Sequence, residues 1–349
     1  MGLKTMFNPM GAGTVNKACK AYLLLGQNII NVKEFGIVES IEPEKTFGTS
    51  DSSVVSNYLI INGKLFYYFN NNLVQVGNKN NWTSITGYYD SNHFAFGIES
   101  GQLYQLIGSS CQKLGNLSNW TAISGLCNSA ASCYAYGISG GDLYSISCNS
   151  IGASINLLNS DKTWTKICGY SIYDKNDGTK IFAYGINNKK LYQLLINTSV
   201  IQVGSLANWI DICGICQGDA SYAYGLTTSK QLYCINGIDN PIATQVGTLS
   251  NWSKICGYTY NNDVYAYGIS GLRLNSVNGT TVTRVGTLLN WSDITGYSQN
   301  SANGACAYGL IDGILYCLNG TSEVKTNLRN CISIFGTGTL EFPAIAICN

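Results

Sequence analysis

The sequence predicts an all-β fold: a seven-bladed β-propeller with a composite closing blade, preceded by a short N-terminal anchor segment. Three observations lead there. All six tryptophans of the 349-residue chain, at 82, 120, 164, 209, 252 and 291, recur at spacings of 38, 44, 45, 43 and 39. Each opens the same frame, W-x-x-I-[T/S/C]-G, and a second conserved segment follows at variable distance. No segment carries the 3.6-residue periodicity of a helix, which excludes helical solenoids.

The elements of one repeat follow in order. The tryptophan frame is the first strand. The second is an aromatic-Ala-aromatic-Gly-Ile/Leu segment: "FAFGI" (94–98), "YAYGI" (134–138), "FAYGI" (182–186), "YAYGL" (222–226), "YAYGI" (265–269) and "CAYGL" (306–310). A turn leads to a third strand such as "QLYQL" or "DLYSI", and a short fourth strand such as "TQVG" leads to the next tryptophan. Units of four short strands joined by Gly-, Asn- and Ser-rich turns build all-β repeat folds. In "YAYGI" the alternation puts Tyr134, Tyr136 and Ile138 on one face and Ala135 and Gly137 on the other. Sheets stacked around a ring can seat the bulky face of one against the bare face of the next.

The blade count comes from the ends. "CISIFG" (331–336) is a seventh copy with Cys331 in the tryptophan slot, and "FPAIAI" (342–347) stands where the second strand belongs. Outer strands are left over at the front: "GKLFYYF" (63–69) and "LVQVG" (73–77). Pairing the two ends makes a composite seventh blade and leaves no open edge. "YLII" (58–61) also reads as a second strand, so an eighth, incomplete blade is the alternative. The expected division is an anchor segment at 1–45 and a propeller at 46–349.

Composition narrows the function. Apolar residues make up 45% and charged residues 11%, with twenty basic against nineteen acidic side chains for a net charge of +1. No basic run is present, so no nucleic-acid partner is expected. No apolar run is long enough for a membrane span. "MGLKTMFNP" lacks the apolar core of a secretory signal. Fourteen cysteines would suit a disulfide scaffold in a short secreted chain. Here one slot holds Thr86, Ser124, Cys168, Cys213, Cys256 and Thr295, so these cysteines read as small half-buried thiols. With one histidine, His93, and a single C-x-x-C at 213–216, neither a metal nor a cofactor is expected.

Catalytic groups do not assemble. No Ser-His-Asp set can be drawn from one histidine, and Asp211 and Asp293 share a slot with Lys166 and Lys254, which reads as an exposed position. The expectation is a protein that is not an enzyme. The tryptophans read as buried anchors, each worth about 1.5–3 kcal/mol or more when fully buried. The Asn-x-Ser/Thr triplets at Asn81, Asn119, Asn251 and Asn290 read as turn structure.

The order "W-x-x-I-x-G … YAYGI-x-x-G-x-LY" resembles the repeats of regulator-of-chromosome-condensation-like seven-bladed propellers over residues 46–349. Tectonin-type lectin propellers, built on repeated tryptophans, are similar to a comparable degree. The repeats here are shorter, and the aromatic-Ala-aromatic-Gly strand replaces the first family's His-Thr-hydrophobic strand. At the front, "LKTMFNPMGAG" (3–13) resembles the "FNP-x-x-G" segments that begin many bacteriophage tail-fibre and virion appendage proteins. That resemblance implies an anchor centred on Phe7, Asn8 and Pro9, with other virion proteins as partners of residues 1–45.

The region between first and second strands differs in every repeat. It carries Tyr88, Tyr89, Tyr170, Tyr173, Tyr258, Tyr260 and Tyr297 among Asn, Asp and Ser. Because strands alternate in direction, these segments are expected as loops on one face of the disc. Flat aromatics beside amides and carboxylates suit sugars, which stack a C–H face on a ring and hydrogen-bond around it. The expected function is a structural or binding component of a virion, displaying the propeller to a host-surface glycan or another virion protein. The alternatives are a cytoplasmic propeller acting as a protein-interaction scaffold, and a lectin.

Overall fold

A computed structural model describes residues 18–25, 28–37, 46–51, 54–61, 63–69, 72–87, 94–129, 132–149, 152–174, 178–195, 199–217, 220–237, 240–260, 263–296, 307–319, 321–336 and 344–348. Every regular element among them is a β-strand. Seven four-stranded antiparallel sheets are each continuous in the sequence. In chain order these are blade 1 (46–75), blade 2 (82–113), blade 3 (120–159), blade 4 (164–207), blade 5 (209–245), blade 6 (252–284) and blade 7 (291–325). Blade 8 is composite: 331–336 and 344–348 pair with 18–25 and then 28–37. Strands are lettered a to d from the first of each blade. The a strands of successive blades contact one another all the way round, ending with 331–336 against 46–51. The fold is a closed β-propeller.

The composite closure matches the sequence reading, but its partners and the blade count do not. The segments 63–69 and 73–77 complete blade 1, because 46–51 and 54–61 supply that sheet's first two strands. The strands that meet the C-terminus are instead 18–25 and 28–37. Tyr22 stands opposite Ala346 on one side and Asn31 on the other, and Leu23 opposite Ile345 and Ile30. The ring therefore holds eight sheets, and residues 18–25 and 28–37, expected in the anchor, belong to its closing blade. An apolar hairpin at that end gives the C-terminal strand a neighbour on each side, which satisfies its backbone groups. Phe7, Asn8 and Pro9 lie outside the described residues.

The tryptophans explain the glycines. All six indoles are only 1–3% exposed. Each lies over the glycine of strand b in its own blade: a Cβ built at Gly97, Gly137, Gly185, Gly225, Gly268 or Gly309 would stand 2.3–2.6 Å from the indole Cζ3. The other side of the indole meets the bulky face of the preceding blade. Trp252, Ile255 and Ala266, for instance, pack with Tyr224, Leu226 and Leu232. Strand c contributes a tyrosine, with ring centroids 5.2–5.4 Å away in the pairs Trp82–Tyr104, Trp120–Tyr144, Trp164–Tyr192, Trp209–Tyr233 and Trp291–Tyr316. Where the tryptophan is missing, so is the glycine: Ala346 takes that register in blade 8, beside Cys331, and Leu59 takes it in blade 1.

A backbone belt joins the blades on one face. The amide of each tryptophan, and of Cys331, donates to the b–c turn of the preceding blade at 2.8–3.2 Å, as Trp120 does to Gly101 O. In blades 2 to 6 that turn donates in return to the residue before its own tryptophan, as Ser100 N does to Asn81 O at 3.1 Å. Asn119, Asn208, Asn251 and Asn290 are left-handed, with φ of 66–73°. Asparagine tolerates that region better than most residues, which accounts for the Asn-Trp pairs at those four positions.

The charged slot of strand a is not exposed. Lys166 Nζ lies 2.7 Å from Asp211 Oδ1, and Lys254 Nζ lies 2.7 Å from Asp293 Oδ1, each pair linking neighbouring blades. Lys254 and Asp293 are each only 13% exposed in the side chain. The charge swaps from blade to blade because each charge meets its opposite next door.

Candidate functional site

The two faces of the disc differ. One carries the belt, with its b–c turns and tryptophans. The ladder puts Lys20 opposite Cys348, and Cys348 opposite Cys331, whose amide joins the belt. The described chain thus starts and ends at the belt face. The a–b hairpins rise from the other.

On that other face the expected loops of blades 3 to 6 are strands over much of their length. Blade 4 pairs Trp164–Asp174 with Gly178–Asn187, and blade 6 pairs Trp252–Tyr260 with Asp263–Ser270; blades 3 and 5 extend in the same way. Pairing satisfies backbone groups that a long loop would leave to solvent. Tyr170 stands opposite Phe182 and Tyr258 opposite Tyr265, in a register that holds Leu126 opposite Tyr134 and Ile215 opposite Tyr222. Tyr173, opposite Thr179, and Tyr260, opposite Asp263, sit nearer the hairpin tips. The fold brings Tyr170, Tyr173, Tyr258 and Tyr260 to one face, on two hairpins separated by blade 5. Tyr88, Tyr89 and Tyr297 lie outside the described residues, as does His93.

Beneath the blade 3 hairpin is a cleft of about 220 Å³, lined by Tyr134, Tyr136, Ser145, Ser147 and Asn156 with Ala135 and Ile146, all of blade 3. Register explains the grouping. Tyr136 stands opposite Ser145, which stands opposite Asn156, and Tyr134 stands opposite Ser147, so all five share a face. This face packs on blade 4, where Tyr134 and Tyr136 meet Trp164, Ile167 and Leu194. The row runs from buried Ser124 and Tyr136 at the inner strands to exposed Asn156 at the outer one.

Short side chains open the space. Blade 4 has Gln193 where blade 3 has Ser145, and Gln193 Nε2 donates to Gly237 O of blade 5 at 3.0 Å. In blade 1 the Tyr58 hydroxyl, in the register of Tyr136, donates to Gly108 O of blade 2 at 2.9 Å. Tyr136 is 2% exposed, and its hydroxyl has no hydrogen-bond partner among the described residues. The corresponding turn of blade 4, at 196–198, lies outside them. Burial pushes the Tyr136 phenol well above its ordinary pKa, so it stays a neutral donor. Ser154 Oγ donates to Asn156 Oδ1 at 3.4 Å at the cleft's outer edge. The arrangement sets the Tyr134 ring, two serine hydroxyls and an amide around one small cavity, with the Tyr136 phenol buried at its base.

Sequence reading assigned Tyr134 and Tyr136 to the core-facing side and missed Ser145, Ser147 and Asn156. The signal was present: "DLYSI" has Ser145 where "QLYQL" and "KLYQL" have glutamine. It acquires meaning only once the register shows what the glutamine spans.

No family model and no curated protein matches the chain, so the resemblances to condensation-regulator, tectonin and tail-fibre repeats rest on the residues quoted above. Solved structures do match. The dihydro-heme d1 dehydrogenase NirN is similar with a TM-score of 0.59 and 12% identity, over 92% of this chain and 75% of that one. Virginiamycin B lyase from Staphylococcus aureus is similar with a TM-score of 0.53 and 7% identity, over 95% of this chain and 99% of that one. The SapL1 lectin in complex with alpha methyl fucoside has a TM-score of 0.46 and 9% identity over 71% and 97%, too loose a likeness to carry an argument. At these identities the likeness is one of fold. It corrects one expectation: a propeller of this kind carries a dehydrogenase and a lyase, so the fold does not exclude catalysis and the non-enzyme reading is withdrawn. No helix among the described residues is long and apolar enough to cross a membrane.

Proposed function

We propose that this protein is a carbohydrate-binding β-propeller, with the blade 3 cleft and the hairpin face around it as the binding surface. The observation that carries this reading is the composition of the cleft. Tyr134 supplies ring surface, while Ser145, Ser147 and Asn156 supply donors and acceptors that a polyhydroxylated ring requires. Tyr170, Tyr173, Tyr258 and Tyr260 extend the aromatic surface over the same face, with Tyr88, Tyr89 and Tyr297 in the matching segments of other blades.

The finer proposal concerns place. Residues 1–17, with the tail-fibre-like Phe7-Asn8-Pro9, attach the propeller to other virion proteins, and the ligand is a host-surface glycan. The described chain starts at the belt face, so a module held there would present its hairpins outward. A glycan array probed with the full chain tests the binding. Hits weakened by Asn156→Ala and Tyr134→Ala support the cleft, and hits weakened by Tyr170→Ala and Tyr258→Ala extend the surface to the hairpins. A blank array removes the carbohydrate reading. Particles assembled with a chain lacking residues 1–17 test the attachment, which fails as a proposal if incorporation is undiminished.

A further inference from the structure

Cysteine placement in the ladders carries an inference independent of carbohydrate binding. Cys111 stands opposite Leu106, Cys234 opposite Tyr224 and Thr244, Cys256 opposite Tyr267, and Cys317 opposite Tyr308 and Val324. All four are thiols. Cys331 is disulfide-bonded, and the residue directly across the ladder from it is another cysteine, Cys348. Cysteines facing other residue types stay thiols, and Cys331, which faces a cysteine, is bridged.

Blade 3 repeats that relation twice in one row. Cys127 of strand a stands opposite Cys133 of strand b, and Cys133 stands opposite Cys148 of strand c. Opposed residues of antiparallel strands have Cα atoms about 4.5–5.5 Å apart, inside the roughly 4.4–6.8 Å range that a disulfide spans. Cys127 and Cys148 are two strands apart, near 10 Å, and beyond that range. We propose that Cys127, Cys133 and Cys148 form a thiol–disulfide exchange site in which Cys133 bridges to one neighbour while the other remains a thiol able to displace it. The partner class is a small disulfide such as glutathione disulfide. The row lies toward the hairpin face, next to Tyr134 of the cleft, so the bridge decides which strand is tied to strand b there.

The chemistry balances with that partner. The Cys133 thiolate attacks one sulfur of glutathione disulfide, forming a mixed disulfide and releasing one glutathione thiolate. The Cys127 or Cys148 thiolate then attacks the Cys133 sulfur, closing the bridge and releasing the second. Two cysteine thiols give up two electrons and two protons, and the glutathione disulfide becomes two glutathione thiols. Attack by the third cysteine on Cys133 afterwards expels the first partner and moves the bridge without further oxidation.

The full-length chain, reduced and then equilibrated with glutathione disulfide, is alkylated and mapped by mass spectrometry. The expected result is loss of Cys133 alkylation, with Cys133 linked to Cys127 or Cys148. In Cys127→Ser the link moves wholly to Cys148, and in Cys148→Ser to Cys127. In Cys133→Ser neither outer cysteine links to the other. The Cys331 bridge, on another blade, reports that each variant has folded. An unlinked Cys133 beside an intact Cys331 bridge overturns the proposal, as does a Cys127–Cys148 link in the unaltered chain.

Discussion

Trp120 lies so close over Gly137 that a Cβ at residue 137 would stand 2.3 Å from the indole Cζ3. Neither residue can change alone at low cost. Gly137→Ala should destabilise by about 1–3 kcal/mol through overpacking. Trp120→Cys should cost about 3–5 kcal/mol through the cavity it leaves. Blade 8, with Cys331 and Ala346 in these registers, is the arrangement the double variant recreates. The alanine penalty should therefore largely vanish in the Trp120→Cys background, and urea unfolding of the four chains measures it. Additive penalties would sink the explanation of the glycines.

Leu272 has φ +68° in the b–c turn of blade 6 and is 58% exposed, where blades 2 and 7 place Gly101 and Gly313. A left-handed leucine costs about 1–2 kcal/mol that glycine does not. Leu272→Gly should raise stability by about 1 kcal/mol, less the extra freedom of the unfolded chain. A lower urea midpoint would show that the leucine makes a compensating contact.

Asp293 and Lys254 give a pH signature. Burial pushes the Asp293 carboxyl above its usual range, and the Lys254 ammonium pulls it back. An acid with a raised folded pKa holds more protons folded than unfolded, so this group's contribution falls as pH rises through that pKa. Lys254→Met removes the offset and should cost about 3–5 kcal/mol at neutral pH, with the deficit shrinking as pH falls into the carboxylate range. Lys254→Met with Asp293→Leu should recover much of it. A deficit independent of pH would place its origin elsewhere.

Burial pushes the Cys256 thiol up to about 12 and the Cys317 thiol up to about 11. Neither supplies appreciable thiolate at pH 8. Iodoacetamide at that pH should leave both unmodified in the folded protein and label both in urea. Rapid native labelling of either would mean that its blade opens on the timescale of the reaction.

What the sequence made legible was local. The tryptophan frame, the strand alternation of "YAYGI" and the turn residues marked the first three strands of each of blades 2 to 7. The choice of partners for the C-terminal strand was not legible, because "YLII" and "AYLLL" are equally strand-like and pairing across the whole chain leaves no local mark. Lys254 and Asp293 looked solvent-facing for a related reason: their attraction is between blades, and only the ring puts them side by side. The cleft was hidden more deeply. Ser145 is unremarkable until the register shows it in the place of a glutamine that bridges two blades.

Both ends of the chain close the ring. Hydrogen–deuterium exchange of the full chain and of one lacking residues 1–40 measures this directly. Strand 344–348 should be protected in the full chain and should lose that protection on truncation, while the inner strands of blades 3 to 6 keep theirs. Equal protection of 344–348 in both would mean that 18–25 is not its partner, and the circle would have to close some other way.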